Sequence, residues 1–340
     1  MKNYSSLMLL QGAVVVLAFS ASGASASVTI SSQPTKNMSC SSGVCSPTRK
    51  SAVLNVTDLA SMLASGDVTV TSGSSAQDID IKATLGWTST SRLTLDAYHS
   101  IAFDKPVVVA GTGGVTIITN DGRAGGDFRF FRKGHIEFWD NDSSLVINGQ
   151  PYTLVASVQQ IAKALNRSSF PLALAKHLNA KQQTYAHSPI PLLQDTFEGL
   201  GNTISNLTIT DATAGESVGF FGEFNNFGQA VSIRDVNLTS VNVLGGGIEQ
   251  SVGGLVGFSQ GLIQNSSVAG QVSASGTTSF AGGLVGWNSI TIEHSWSSAS
   301  VSGSNGAGAG GLVGNNFGSC GPDCFGLMQT GWCHFDIAHE

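Results

Sequence analysis

The word Gly253-Gly254-Leu255-Val256-Gly257 returns at Gly282-Gly283-Leu284-Val285-Gly286 and again at Gly310-Gly311-Leu312-Val313-Gly314. A looser relative, Val218-Gly219-Phe220-Phe221-Gly222, stands ahead of them. Counted at the second residue, Gly219, Gly254, Gly283 and Gly311 lie 35, 29 and 28 residues apart. The likeness continues beyond the word: Ile263 and Ile292, Ser266 and Ser295, and Val272 and Val301 follow it at matching intervals. A recurrence of about 20–50 residues marks a stacked repeat, in which one unit cannot bury its apolar side chains alone. In each word a leucine and a valine stand between glycines, which tolerate tight bends and close backbone approach. Stacking would set Leu255, Leu284 and Leu312 above one another, with Val256, Val285 and Val313 beside them. Backbone groups then pair along the stack without charged side chains, and residues 241–320 carry only two, Glu249 and Glu293.

Working outward toward the N-terminus, short β-rich words follow one another: Val68-Thr69-Val70, Ile79-Asp80-Ile81, Leu93-Thr94-Leu95, Val107-Val108-Val109, Val115-Thr116-Ile117, Ile136-Glu137-Phe138 and Leu145-Val146-Ile147. Most alternate apolar and polar residues, the signature of a strand with one buried face. Leu93, Val115 and Ile136 lie 22 and 21 residues apart, which predicts one column in a parallel β-solenoid; a sandwich is the competing arrangement for this segment. Between Thr153 and Leu178 the period changes. Val155, Val158, Ile161, Ala162 and Leu165 recur at helical spacing, and Asn166 ends the run, so a short amphipathic helix is expected to lie against the sheet.

Composition narrows the class. Charged residues are 11% of the 340, glycines number 42, and the net charge is −6. An acidic balance disfavours nucleic acid, whose binding needs a basic face, and 41% apolar residues disfavour a solvated coil. The sparse basic stretch Arg123, Arg129, Arg132 and Lys133 reads as a solvated edge. Lys2, the apolar run Leu7–Phe19 and Ala24-Ser25-Ala26 have the form of a secretory signal with cleavage before Ser27. The run is too short to span a bilayer, so no transmembrane segment is expected in the mature chain. In an exported protein the cysteines are oxidised, which pairs Cys40 with Cys45 and Cys320 with Cys324 and leaves Cys333 odd. Cys320, Cys324, Cys333 and His334 match no strong zinc spacing.

The expected organisation is a signal peptide over residues 1–26, a disordered Ser/Thr-rich leader over 27–52, and N-terminal β-helix coils over 53–152. A helical insertion and linker over 153–195, repeat coils over 196–318 and a cysteine-containing tail over 319–340 complete it. The stretch Thr196-Phe197-Glu198-Gly199-Leu200-Gly201-Asn202-Thr203-Ile204-Ser205-Asn206-Leu207-Thr208-Ile209, followed by the Gly-Gly-Leu-Val-Gly words, resembles the GLUG-repeat region of filamentous-haemagglutinin-type bacterial adhesins. Ile147-Asn148-Gly149 and Tyr152-Thr153-Leu154-Val155 are similar to the segment that precedes such repeats. The resemblance covers residues 80–318 and implies an all-β chain, a right-handed parallel β-helix, on the surface of a Gram-negative bacterium. It implies contact with glycans or proteins of another cell, and it carries no catalytic residue. The chain departs from the family in lacking an obvious secretion domain and in its short repeat array.

A search for chemistry supports a non-enzyme. Asp78 and Asp80 share the outer face of a strand whose Ile79 and Ile81 point inward; Asp140 and Asp142 sit in a turn-like stretch where Asx residues cap the backbone. The seven histidines are scattered, and the chain holds no His-Glu-x-x-His word, no nucleophile elbow in its expected context and no phosphate loop. Trp87, Trp287, His294 and Trp296 are expected to fill coil corners, with outward contact to a glycan as the alternative. No metal or cofactor is expected. The readings carried forward are an adhesin-like surface protein, a secreted β-helix lyase or hydrolase acting on polysaccharide, and a remnant of a longer adhesin. An uncapped last coil would leave strand edges open to end-to-end self-association.

Overall fold

A computed structural model describes residues 26–326 apart from 124, 141, 167–169, 182, 226–227, 229 and 322. The expected signal peptide, Cys333 and His334 lie outside the described residues. About half of the described chain is strand. Three helices interrupt it: Val56–Leu63, Gly73–Ala76 and Val158–Leu165. Strands pair in parallel between successive passes of the chain, and two antiparallel hairpins break the rule, at Met38–Ser41 with Val44–Pro47 and at Ser144–Ile147 with Gln150–Val155.

The Gly-Gly-Leu-Val-Gly words pair with one another. Val256 is in register with Val285 and Val285 with Val313. The backbone N–H of Leu255 donates to the Leu284 carbonyl at 3.0 Å, and that of Leu284 to the Leu312 carbonyl at 2.9 Å. All three leucines are buried; a fully buried leucine contributes about 1.5–3 kcal/mol relative to exposure. The companion positions follow, Ile263 with Ile292 and Val272 with Val301. The glycines are required by contact. A Cβ on Gly253, Gly282 or Gly310 would lie 2.0, 1.9 or 1.8 Å from the carbonyl oxygen three residues on, in Val256, Val285 or Val313.

In the first half, Leu93 pairs with Val115 as the alternation predicts. Ile136 is not their neighbour. Val115 continues to Leu145, while Ile136 pairs with Val107 on another sheet. The passage Thr119–Asp127 is longer than the other connections in this half, so a spacing of about 21 residues stops describing one pass there. The expected leader is ordered. Ser27–Ser31 alternates apolar and polar side chains and lies between Ala52–Asn55 and Asp78–Ile81, with Val28 and Ile30 buried. Helix Val56–Leu63 starts on Asn55, whose side chain accepts the backbone N–H groups of Thr57 and Asp58, and it buries Leu59 and Leu63.

Within the expected insertion at 153–195 the helical part is Val158–Leu165, capped by the Ser157 hydroxyl and burying Val158 and Ile161. Val155 belongs to a strand. Residues 172–193 resume parallel pairing: Leu172–Leu174 joins the sheet of Phe197–Glu198, and Ile190–Leu193 that of Phe221–Asn225. Pairing also runs past Asn316 into the expected tail, with Cys320 against Ile292 and Phe325 against Trp296. The core forms two clusters, one centred on residues 28–147 and one on 155–312, with Ala173, Ala175 and Leu200 of the second half packed into the first.

Candidate functional site

Where the halves meet, a groove of about 850 Å³ opens along the outer face of the second half. Its floor is a column of in-register positions, Thr203, Asn237, Ser267, Trp296 and Phe325. The column passes from small polar side chains to flat aromatic ones. At about 4.8 Å per strand it is roughly 19 Å long. Trp296 and Phe325 stack nearly parallel, with centroids 6.2 Å apart at 12°. Trp296 is 39% and Phe325 57% exposed, which is costly for rings of this size unless something covers them.

One wall is a corner that recurs in each pass. Asp235, Asn265, His294 and Asp323 all adopt left-handed backbone, with φ of 56°, 49°, 47° and 58°. Asn, Asp and His tolerate that region better than other non-glycine residues, so the corner needs no glycine and keeps a side chain for the groove. Behind it the corner is fixed by buried hydroxyls. Ser266 Oγ donates to the Gln264 carbonyl at 2.8 Å and accepts from Val236 N at 3.3 Å; Ser295 Oγ donates to the Glu293 carbonyl at 2.8 Å and accepts from Ser266 N at 3.1 Å.

The other wall comes from the first half. Phe128–Phe130 leads into a loop that presents Arg129, Phe131, Arg132 and Lys133, all exposed, to the groove. The loop is anchored. Phe130 stacks on Phe103 at 4.8 Å, Phe131 N donates to the Phe103 carbonyl at 2.9 Å, and Gly134 has a Phe103 oxygen 1.7 Å from where a Cβ would sit. Beyond it His135 and His177 stand 4.5 Å apart, centre to centre. His177 Nδ1 accepts from Thr203 N at 3.0 Å. Burial, and secondarily His177, hold His135 below the usual imidazole range. Arg129, Arg132 and Lys133 bring cationic side chains to this wall. The acids on the lining are Asp235, already paired, and Asp323 at the far end.

Beneath the groove lies an ion cluster that joins the halves. Arg234 reaches Asp127 at 2.8 Å, Asp235 at 3.0 Å and Glu198 at 3.3 Å, and its guanidinium lies 4.3 Å from the Phe128 ring centre. Glu198 is fully buried. Its Oε1 accepts from Leu200 N at 2.9 Å, while Oε2 has no hydrogen bond and faces only the shared cation. Burial, then Asp235, push the Glu198 carboxyl well above the usual range; burial pushes Asp235 up to about 6 against the pull of Arg234. Tyr152 is driven up to about 12, first by burial and then by Glu198. The cluster is closed to solvent around Glu198, and its two buried carboxyls serve the junction between halves.

Of the candidate residues singled out from the sequence, Arg129, Arg132, Lys133, His294 and Trp296 line the groove and the others lie outside it. Gly254, Leu255, Val256 and Gly257, Gly283 through Gly286, and Gly311 and Leu312 are buried, with Val313 and Gly314 half-buried near the end of the described chain. Cys40 and Cys45 form a disulfide. The expected second bridge is absent. Cys320 and Cys324 are free thiols that share a hydrogen bond, which pushes Cys320 up and brings Cys324 down to about 7; Cys324 Sγ also donates to the Ile292 carbonyl at 3.2 Å. Cys320 is placed by a strand paired with Ile292, and Cys324, off that strand, is placed by its bond to the Ile292 carbonyl. Asp78 and Asp80 face outward, Asp78 meeting His99 at 2.8 Å, and Asp140 Oδ1 accepts Asp142 N at 2.9 Å in an Asx turn. Trp87 is buried and donates to the Ser91 carbonyl at 2.9 Å. Trp287 is half-buried against Phe258, Phe280 and Phe317, whereas Trp296 stands out from its corner into the groove.

Among the described residues no group of three or more His, Cys, Asp or Glu is disposed to hold a metal ion, and no helix is long and apolar enough to cross a membrane. The basic stretch is more than a solvated edge, because Arg129, Arg132 and Lys133 form a wall of the groove. No family model, curated protein or solved structure matches the chain.

Proposed function

We propose that the chain is a right-handed parallel β-helix, exported through its N-terminal signal, that serves as an adhesin-like contact protein of the GLUG-repeat type and performs no catalysis. One observation carries this reading: the Gly-Gly-Leu-Val-Gly words and their companions pair in parallel register from pass to pass. That register makes a stiff, elongated body with repeating outer columns, as a contact surface requires. The body is held by buried leucine, valine and serine, with few charges. In this reading the outer face meets glycans or proteins of another cell.

A lyase acting on polysaccharide is the second reading, favoured by the arginine and lysine wall beside an open groove. It needs a base and a stabiliser aimed at one reacting atom. The buried acids Asp235, on the lining, and Glu198, beneath it, are instead tied to Arg234.

The test is whole-cell protease shaving with fractionation, read by an antibody to residues 241–320. Loss of the band from intact cells, with a cytoplasmic marker protected, is the expected result. A band that survives until the cells are opened would sink the surface assignment.

A further inference from the structure

We propose that the groove between the Phe130–Lys133 loop and the Trp296–Phe325 column binds a linear acidic polysaccharide, uronate carboxylates meeting Arg129, Arg132 and Lys133 and a sugar face packing on the stacked ring pair. The inference rests on the contact reading above and names its ligand class.

Shape comes first. The floor is a straight column of five in-register positions, so the groove suits an extended polymer with a regular repeat better than a compact metabolite. It is open along its length, so a polymer can lie through it without presenting an end. Both walls are preformed: the loop by the Phe130–Phe103 stack and its backbone bonds, the corner by Ser266 and Ser295. Little ordering is left for the protein to do on binding, which favours affinity.

Chemistry comes second. The first half contributes three cationic side chains, and their nearest carboxylate on the lining, Asp235, is already held by Arg234. Guanidinium forks match carboxylates two bonds at a time. At the other end Trp296 and Phe325 are exposed rings stacked in nearly parallel planes, and the outer face and edges of the pair are open to the C–H face of a pyranose. Between the two ends lie neutral polar side chains: Asn265 on the wall, and on the floor Asn237, whose Oδ1 accepts from the buried Ser267 hydroxyl at 2.7 Å. Single-stranded nucleic acid also pairs cations with stacking, but it needs charge along its whole length. Here the cations are confined to one end, and the chain carries −6 overall.

The experiment uses the mature chain and three probes: hexagalacturonate, its fully methyl-esterified form, and a dT oligonucleotide of similar length. Trp296 fluorescence and calorimetry read binding. The expected result is at least tenfold tighter binding of the acid than of the ester, weakening as salt is raised. Arg129→Ala combined with Arg132→Ala should remove that preference while leaving ester binding in place. Trp296→Ala should weaken both saccharides, and Phe317→Ala, on the other aromatic patch, should change neither. Each variant is first shown to unfold at the wild-type temperature, and Arg132→Gln is the gentler replacement if the double variant does not. Equal binding of acid and ester, tighter binding of the oligonucleotide, or loss through Phe317→Ala alone would overturn the proposal. Release of unsaturated ends would retain the ligand and overturn the non-enzyme reading. A protein that shaving finds inside the cell, yet binds the acid as described, would lose the adhesin assignment and keep the groove.

Discussion

The two halves of the molecule solve the same packing problem with different materials. The first, from Ser27 to Val155, buries alternating aliphatic and aromatic side chains, and its fully enclosed polar side chains are serine and threonine. The second buries amides and carboxyls as well: Asn202, Gln250, Asn288, Glu198, Asp211 and Asp235. The reason lies at the corners. In the second half the chain turns through left-handed residues at the same place in each pass, which leaves backbone groups pointing inward, and repeated polar side chains take them up. Asn202 Nδ2 donates to the carbonyls of Ile136 and Leu174, and Gln250 Nε2 to those of Asp211 and Thr213. Regularity of repeat and burial of polar groups thus come together. A corner that recurs can be serviced by one side-chain type per pass, whereas the irregular passes of the first half close their corners with loops of differing length.

If the halves are separately built and then joined, the joint should be the most sensitive place in the molecule. Arg234 is shared by Asp127 of the first half and by Glu198 and Asp235 of the second. Truncating it leaves Glu198 and Asp235 buried beside each other without a cation. Breaking a buried pair from one side costs about 3–5 kcal/mol. Arg234→Ala is therefore expected to lower stability by about that amount in urea unfolding and to separate the transitions of the two halves. A single transition at the wild-type midpoint would show that the halves are joined by their apolar contacts instead.

Within the second half alone, the serine ladder offers a smaller break. Ser295→Ala removes the acceptor of the Ser266 N–H in a site with no water access. An orphaned buried donor costs about 1–3 kcal/mol. Hydrogen exchange should quicken at Ser266 and at neighbouring amides of the second half, and leave the strands Arg92–Asp96 and Gly114–Ile118 of the first unchanged. Equal quickening in both halves would mean that the corner ladders do not partition the fold.

How far this was legible in the sequence follows the same division. The repeat words, their leucine-valine pairs and the matched Ile263/Ile292 and Val272/Val301 positions could be aligned by eye, because a fixed interval in sequence becomes a register in space. In the first half the words were readable as strands but not their partners. Thr119–Asp127 lengthens one pass, and Ile136 is thereby moved off the Leu93–Val115 column. The ordered leader and the helix after Asn55 were hidden by Ser, Thr and Pro, although Val28-Thr29-Ile30 and the Asn55 cap carried the signal. The groove was the least legible feature. Arg132 and Trp296 are distant in the chain, and only the pairing of halves brings them to one cavity. The left-handed Asp235, Asn265, His294 and Asp323, at matching repeat positions, were the one sequence hint of a wall.

The smallest effect concerns protons at the joint. Asp235 titrates at about 6 in the fold against an ordinary 3.8, because burial penalises its charge more than Arg234 relieves it. Between those values the folded chain holds a proton that the unfolded chain has released. Stability from this group is thus present at low pH and lost as pH rises from about 4 through about 6. Glu198, shifted in the same direction, adds to the slope. Among the described residues the first half has no fully buried carboxyl, and its counterpart is the part-buried Asp96, raised first by burial and then by Asp121. Asp235→Asn keeps the shape and removes the titration. Its unfolding free energy, measured at intervals across that window, should fall less steeply than that of the wild type. A variant as steep as the parent would place the titrating charge outside the joint, with Asp96 of the first half as the next carboxyl to replace, and the stronger proton linkage of the second half would have to be abandoned.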